Sequence, residues 1–146
     1  MADSTIRKDD ASDERNLVLF AISDEPVRQL ITALLPFEMF PHQYHVVATL
    51  PEAQQWLAQN APICVVLTID IALGSGSTPG LIAVLPPFCP TISLIQRRRD
   101  LPAYPDYLYV QGAFHDWCTV PFNMDELIVR IQQNIVRAQQ GNKPTT

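Results

Sequence analysis

Positive charge is scarce in this chain, and that scarcity excludes one large class of partners. The 146 residues include 10 lysines and arginines against 15 aspartates and glutamates, giving a formal net charge of −5 at pH 7. Domains that bind nucleic acid through its phosphates carry a basic surface instead. We therefore expect no nucleic acid among the partners of this protein.

Long apolar runs are also lacking. No segment approaches the ~20 consecutive apolar residues that a membrane-spanning helix requires. Residues 1–5 do not show the basic and then apolar order of a secretory signal peptide. We expect a cytoplasmic protein without a membrane partner.

Cysteine is sparse and unpatterned. Cys64, Cys89 and Cys118 are odd in number and show no Cys-x-x-Cys spacing, so neither a disulfide framework nor a metal site is indicated. Each lies in or beside an apolar segment, which predicts buried, reduced thiols. The histidines are dispersed as well, and we predict neither a metal site nor a cofactor.

What the chain does contain is a repeated alternation of two patterns. Short apolar segments of strand length occupy residues 17–22, 44–48, 63–67, 91–95 and 116–120. Segments with helical spacing or helix-start signals follow them. This alternation predicts an α/β fold, a doubly wound five-stranded parallel sheet of the flavodoxin-like kind. We assign residues 16–139 to one domain, with polar tails at 1–15 and 140–146.

Two of the helices are expected to be short. The third is predicted to hold Leu81, Ile82 and Leu85 and to end at the prolines that follow. Pro102 and Pro105 stand where the fourth helix should begin, so only a shortened or irregular helix is predicted around residues 106–111.

Three motifs, in this order on this frame, resemble the receiver domain of bacterial response regulators. Residues 23–28 read Ser-Asp-Glu-Pro-Val-Arg after the first strand, where the family has Asp-Asp-Glu-Pro-x-x-Arg. Residues 112–122 are similar to the family's Gly-Ala-Asp-Asp-Tyr-Leu-Thr-Lys-Pro-Phe, with one extra residue. Asp125-Glu126-Leu127 then opens a long amphipathic segment. The resemblance covers about 120 residues and implies a CheY-like fold, with a cis peptide bond between Val120 and Pro121.

The same resemblance implies that the family's chemistry has been lost. Its magnesium-binding acidic pair falls on Ser23 and Asp24, its phosphoacceptor aspartate on Thr68, its hydroxyl residue on Ile95 and its lysine on Val120. A threonine alcohol is not an anionic nucleophile near neutral pH, and isoleucine and valine contact no phosphoryl oxygen. The chain is therefore expected to be a degenerate pseudo-receiver, not an enzyme, that acts through protein contacts.

Two alternatives remain open. Asp70, two residues beyond Thr68, would be a displaced acceptor if the third strand ended later than predicted. Fold analogy alone also allows a small-ligand sensor with its site at the strand ends.

A partner surface is expected near the fourth helix and fifth strand. Arginine and tyrosine are enriched at protein interfaces. Such residues gather here as Arg97, Arg98, Arg99, Tyr104, Tyr107 and Tyr109, with Trp117 at the family's aromatic switch position, where fixed packing is expected. The resemblance implies a protein partner from a bacterial two-component or clock-type pathway, or a second copy of the chain.

Overall fold

A computed structural model of the protein describes residues 17–38, 40–75, 77–85, 89–96 and 115–141. The predicted tail at 1–15, the expected fourth helix around 106–111 and most of the tail at 140–146 lie outside the described residues. The last helix continues to Gly141, two residues beyond the predicted end of the domain.

One parallel sheet forms the centre of the described fold. Its strands are β1 (Leu17–Ala21), β2 (Gln43–Val47), β3 (Cys64–Thr68), β4 (Thr91–Ile95) and β5 (His115–Thr119). They lie in the order β2-β1-β3-β4-β5, and every neighbouring pair is parallel. This order confirms the doubly wound, flavodoxin-like prediction.

The helices of the described residues are α1 (Glu25–Leu34), α2 (Leu50–Leu57), α3 (Ile69–Leu73) and α4 (Met124–Gly141), with 3-10 turns at Leu35–Phe37 and Leu81–Ala83. Three of these helices begin with a side-chain cap. Asp24 and Thr49 accept the first-turn N–H groups of Val27 and Glu52, and the Asn123 side chain accepts the N–H of Asp125 at 2.8 Å. These are the side-chain caps that polar residues before a helix provide.

Strand alternation divides the core into two layers. In β1, Val18 and Phe20 pack with the apolar faces of α1 and α4. Leu19 and Ala21 point the other way and pack with α2, α3 and the Leu81–Ala83 turn. Successive strand residues face opposite sides of a sheet, so both faces of β1 are covered by helices.

The third helix was predicted in the wrong place. The helix that follows β3 is α3. It is followed by a small antiparallel hairpin whose strands, Gly74–Ser75 and Thr78–Pro79, have two residues each. Leu81 and Ile82 are buried as expected, but in a 3-10 turn. Gly74, at φ +76, turns the chain sharply, and Pro86 and Pro87 lack the N–H groups that a longer helix after Leu81 would need.

Smaller differences concern single residues. β2 and β5 each begin one residue earlier than predicted, and α2 spans Leu50–Leu57 where residues 51–59 were expected. Leu30 and Leu34 follow the helical spacing of α1 but are 40% and 37% exposed. The peptide bond between Val120 and Pro121 is cis, as predicted.

The prediction of buried cysteines is confirmed for two of the three, because Cys89 is only partly buried. Cys64, Cys89 and Cys118 are all free, and Cys64 and Cys118 are buried. Burial raises the pKa of all three thiols, that of Cys89 to about 12. A raised pKa keeps a thiol protonated near neutral pH and therefore unreactive.

Candidate functional site

The carboxyl ends of the parallel strands bring the predicted acceptor-site positions to one edge of the sheet. Ser23 and Asp24 follow β1, Thr68 is the last residue of β3, and Ile95 is the last residue of β4. Val120 follows β5 and donates its N–H to the Ile95 carbonyl at 2.9 Å. These are the strand ends at which doubly wound proteins place ligands and reactive groups.

Thr68 is buried and already hydrogen-bonded. Its side chain is 2% exposed. The hydroxyl oxygen accepts the backbone N–H of Ser23 at 3.1 Å and lies 3.0 Å from the Ser23 hydroxyl. Thr68 therefore ties the loop after β1 to the end of β3, a structural use of the hydroxyl.

The Asp24 carboxylate is also hydrogen-bonded within the protein. One carboxylate oxygen accepts the N–H of Val27 at 3.3 Å and so caps α1. The other accepts the side-chain amide of Gln96 at 2.7 Å. Both oxygens of this carboxylate are thus engaged by the protein.

Gln96 was missed by the sequence reasoning. It directly follows β4, so its place at the carboxyl end of a strand was a usable signal. The resemblance assigned a role to Ile95, the preceding residue, and none to Gln96. The amide of Gln96 supplies a neutral donor for Asp24 at the edge of the sheet.

Asp70 lies in α3, beyond the end of β3. The third strand ends at Thr68, the position to which the resemblance assigned the acceptor, so the register that would make Asp70 the strand-end residue does not occur. Asp70 is exposed, and one of its carboxylate oxygens accepts the Ser23 hydroxyl at 2.7 Å. Ser23 is therefore hydrogen-bonded to both Thr68 and Asp70.

The donors at this edge do not fit a magnesium ion. Magnesium requires near-octahedral oxygen coordination and is usually held through carboxylates. Both oxygens of Asp24 are engaged, and Ser23 offers a neutral hydroxyl that is itself bonded to Asp70. In the part of the chain that the structure describes, no three His, Cys, Asp or Glu side chains are grouped as metal ligands.

The two remaining positions are apolar. Ile95 is 2% exposed and belongs to the core layer beneath α2 and α3. Val120 is partly buried and packs against the opposite layer. Neither side chain offers the hydroxyl or the cation that binds a phosphoryl group. The Arg28 guanidinium is engaged nearby, since it donates to the Ile22 carbonyl at 2.8 Å.

The predicted partner surface is described only in part. Arg97, Arg98, Arg99, Tyr104, Tyr107 and Tyr109 lie outside the described residues. Trp117 is on β5 and is 41% exposed, so the expectation that it is fixed by packing holds only in part. The outer face of α4 carries Val129 and Val136, which are 48% and 50% exposed.

Comparison with known proteins finds similarity in structure alone. No family profile matches the chain, and no curated protein does. The signal receiver domain of an HD domain-containing protein from Pseudomonas fluorescens superposes with a TM-score of 0.69 at 18% identity, over 90% of this chain and 94% of that one.

Two further structures are similar in fold. A CheY-like response regulator receiver domain from Methanospirillum hungatei gives a TM-score of 0.62 at 13% identity, over 87% of this chain and 98% of that one. An adenylate cyclase from Rhodopirellula baltica gives 0.67 at 13% identity, over 88% and 93%. The chain has the fold of response-regulator receiver domains. At such identities the likeness extends to the fold alone.

Within the described residues, no helix combines the length and the apolar character needed to cross a membrane.

Proposed function

We propose that this protein is a pseudo-receiver, a signal-transduction module that accepts no phosphate and acts by binding other proteins. The receiver fold supports a place in two-component signalling. The single observation that carries the loss of phosphorylation is Thr68, which stands at the acceptor position, is buried, and is hydrogen-bonded to Ser23. A buried, engaged alcohol offers no nucleophile to a phosphodonor.

The rest of the edge supports the same proposal. Asp24 is satisfied by Gln96 and by the first turn of α1, where a working receiver would use its carboxylate for a metal ion. Ile95 and Val120 leave a phosphoryl group without the contacts that would stabilise its charge. The hydrogen bonds that join Ser23 to Thr68 and Asp70 tie the loops at this edge together.

The test is incubation with acetyl phosphate and magnesium followed by intact mass measurement. We expect no gain of a phosphoryl group, while a working receiver domain treated in parallel should gain one. A phosphoryl gain in the wild type that disappears in Asp70→Asn would contradict the proposal and identify Asp70 as a displaced acceptor.

The partner surface belongs to the same proposal. We place it on the face formed by residues 97–109, β5 and α4, with a signalling or clock protein or a second copy of the chain as its partner. Trp117, Val129 and Val136 support this location, because each exposes two-fifths or more of an apolar side chain. Val129 and Val136 line one shallow cleft on α4, and contiguous exposed apolar surface is typical of binding sites.

A further inference from the structure

Within the described sheet, β2 is an edge strand whose outer side is open to pairing with another strand. Among the described residues, β2 pairs with β1 on one side only. Natural edge strands are usually protected by lysine, proline or a bulge. Residues 43–47 read Gln-Tyr-His-Val-Val and contain neither lysine nor proline.

The hydrogen bonds to β1 show which backbone groups remain on that edge. Ile22 donates its N–H to the Val47 carbonyl at 3.0 Å, so the backbone of Val47 is turned toward β1. Backbone groups alternate along a strand, so His45 shares this orientation while Tyr44 and Val46 are turned outward. The outward edge therefore offers an N–H and a carbonyl at each of Tyr44 and Val46.

The next outward N–H, that of Ala48, is already hydrogen-bonded, so the unpaired part of the edge ends at Val46. Ala48 donates its N–H to one carboxylate oxygen of Glu52 at 2.8 Å. Glu52 lies in the first turn of α2 and is exposed. Its carboxylate thus stands beside the last open position of β2.

A cleft runs beside this edge. It has a volume of about 370 Å³ and lies between β2 and α2, with His45, Glu52, Trp56 and Gln59 among its walls. The rings of His45 and Trp56 are stacked, with centroids 5.4 Å apart and an angle of 8° between their planes. A strand added to β2 would project alternate side chains toward the stacked rings of His45 and Trp56.

The charge of this region favours a cationic occupant. Among the residues that line the cleft, Glu52 is the one charged side chain, and the sequence contains no lysine or arginine between Arg28 and Arg97. Opposite charges across an interface favour association and select among partners.

We propose that the β2 edge and its cleft bind an extended segment of a partner protein, which adds to the sheet as a further strand and places a lysine or arginine beside Glu52. Backbone hydrogen bonds to Tyr44 and Val46 would supply affinity, and the cleft would supply specificity, as in other strand-addition complexes. This binding mode requires nothing of Thr68 and holds whether or not the chain accepts phosphate.

A second copy of the chain is the less favourable occupant. Each copy carries a formal net charge of −5, so two copies repel each other, which weakens their association. A second copy is therefore treated as a competing outcome of the test.

The first experiment is selection of a phage-displayed library of random seven-residue peptides on the purified protein. We expect enrichment of alternating β-branched or aromatic residues with lysine or arginine at one fixed position. Selection on Glu52→Gln, whose amide oxygen still accepts the Ala48 N–H, should lose the basic preference. Absence of any enrichment, or enrichment of acidic peptides, would overturn the proposal.

The second experiment measures amide hydrogen exchange with the best enriched peptide. Without peptide, Tyr44 and Val46 should exchange faster than His45 and Val47, whose N–H groups face β1. With peptide, Tyr44 and Val46 should become protected. Protection that rises with protein concentration when no peptide is present would favour a second copy and overturn the peptide assignment.

Matched controls separate strand addition from simple surface binding. A peptide methylated on the bonding backbone nitrogens should lose binding, and Glu52→Gln should weaken the parent peptide by about two- to five-fold, as for an exposed ion pair. Val46→Pro removes an outward N–H and should also abolish binding, while Val46→Ala retains that N–H and should bind. Undiminished binding by the methylated peptide would rule out strand addition, even if Val46→Pro fails to fold.

Discussion

At the scale of single residues, the Thr68 hydroxyl has a structural use at the end of β3. Thr68 ends β3 at the carboxyl edge of the sheet, the position to which the sequence resemblance assigns the acceptor. Its hydroxyl accepts the Ser23 N–H and contacts the Ser23 side chain. Thr68 therefore connects the loop after β1 to the end of β3.

The strength of that connection can be measured. Thr68→Val keeps the shape of the side chain but leaves the Ser23 N–H without its acceptor, so we expect a loss of about 1–2 kcal/mol of unfolding free energy. Thr68→Ser keeps the hydroxyl and should lose less. Urea unfolding of both variants tests this, and equal stability of wild type and Thr68→Val would show that the hydrogen bonds contribute nothing net.

His42 gives the protein a predictable response to acid. Burial lowers the pKa of this imidazole, and its Nδ1 atom has no hydrogen-bond partner among the described residues. The unfolded chain takes up a proton near the ordinary pKa of about 6.5, before the folded state does. Stability from neutral His42 is therefore fully present above that pH and is lost as the pH falls toward the lower pKa of the folded state.

The corresponding variant is His42→Gln, which cannot titrate in this range. We expect its stability to fall less than that of the wild type as the pH decreases from about 7 to 5. His45→Gln is the control, because His45 is exposed on β2. Parallel pH profiles for wild type and His42→Gln, from urea unfolding at each pH, would contradict this assignment.

At the scale of secondary-structure elements, a polar cluster fixes α4 against β5. One Asp116 carboxylate oxygen accepts from Arg130 at 2.9 Å, and the other accepts from the side-chain amide of Asn134, also at 2.9 Å. Asn134 is 1% exposed and donates to the Arg130 carbonyl as well. Glu126 binds the same arginine from the solvent side at 3.2 Å.

The two acidic partners of Arg130 should differ in importance. Asp116→Ala leaves the buried Asn134 amide with one acceptor fewer, and we expect a cost of about 1–2 kcal/mol. Glu126→Ala removes only the exposed ion pair between Glu126 and Arg130, which lie one helical turn apart, and should cost no more than about 0.5 kcal/mol. Thermal or urea unfolding compares them, and a cost at Glu126 equal to that at Asp116 would refute the structural role of the cluster.

At the scale of the whole molecule, the proposed partner face and the proposed strand-binding edge are separate. β5 lies at one end of the strand order within the described sheet, and β2 lies at the other. Two partners, or two parts of one partner, would therefore meet the protein at opposite sides. Variants of one surface should leave binding at the other unchanged.

The partner face has its own prediction. Replacing Arg98 and Tyr107 together with alanine, or Trp117 alone, should weaken capture of the natural partner by more than ~1 kcal/mol, as for interface anchors. Leu30→Ala is the control, because Leu30 is as exposed as Trp117 but lies on α1. Undiminished capture by both test variants in a quantitative pull-down from the native host would exclude this face.

Much of the fold could be predicted because it depends on local pattern. The apolar segments predicted all five strands of the described sheet to within one or two residues. The polar residues that cap α1 and α4 indicated where these helices begin. The acceptor-site positions could be placed on one edge because parallel strands put their carboxyl ends together.

Tertiary structure alone decided which side chains at that edge meet. The bonds from Ser23 to Thr68 and Asp70 join residues 45 and 47 positions apart, and the bond from Gln96 to Asp24 spans 72 positions. The α3 helix and the hairpin after it depend on the turn at Gly74 and on packing against β3, which no period in the sequence encodes. Local sequence determines strands, caps and helix faces, whereas a site built from distant loops is set by how the sheet brings those loops together.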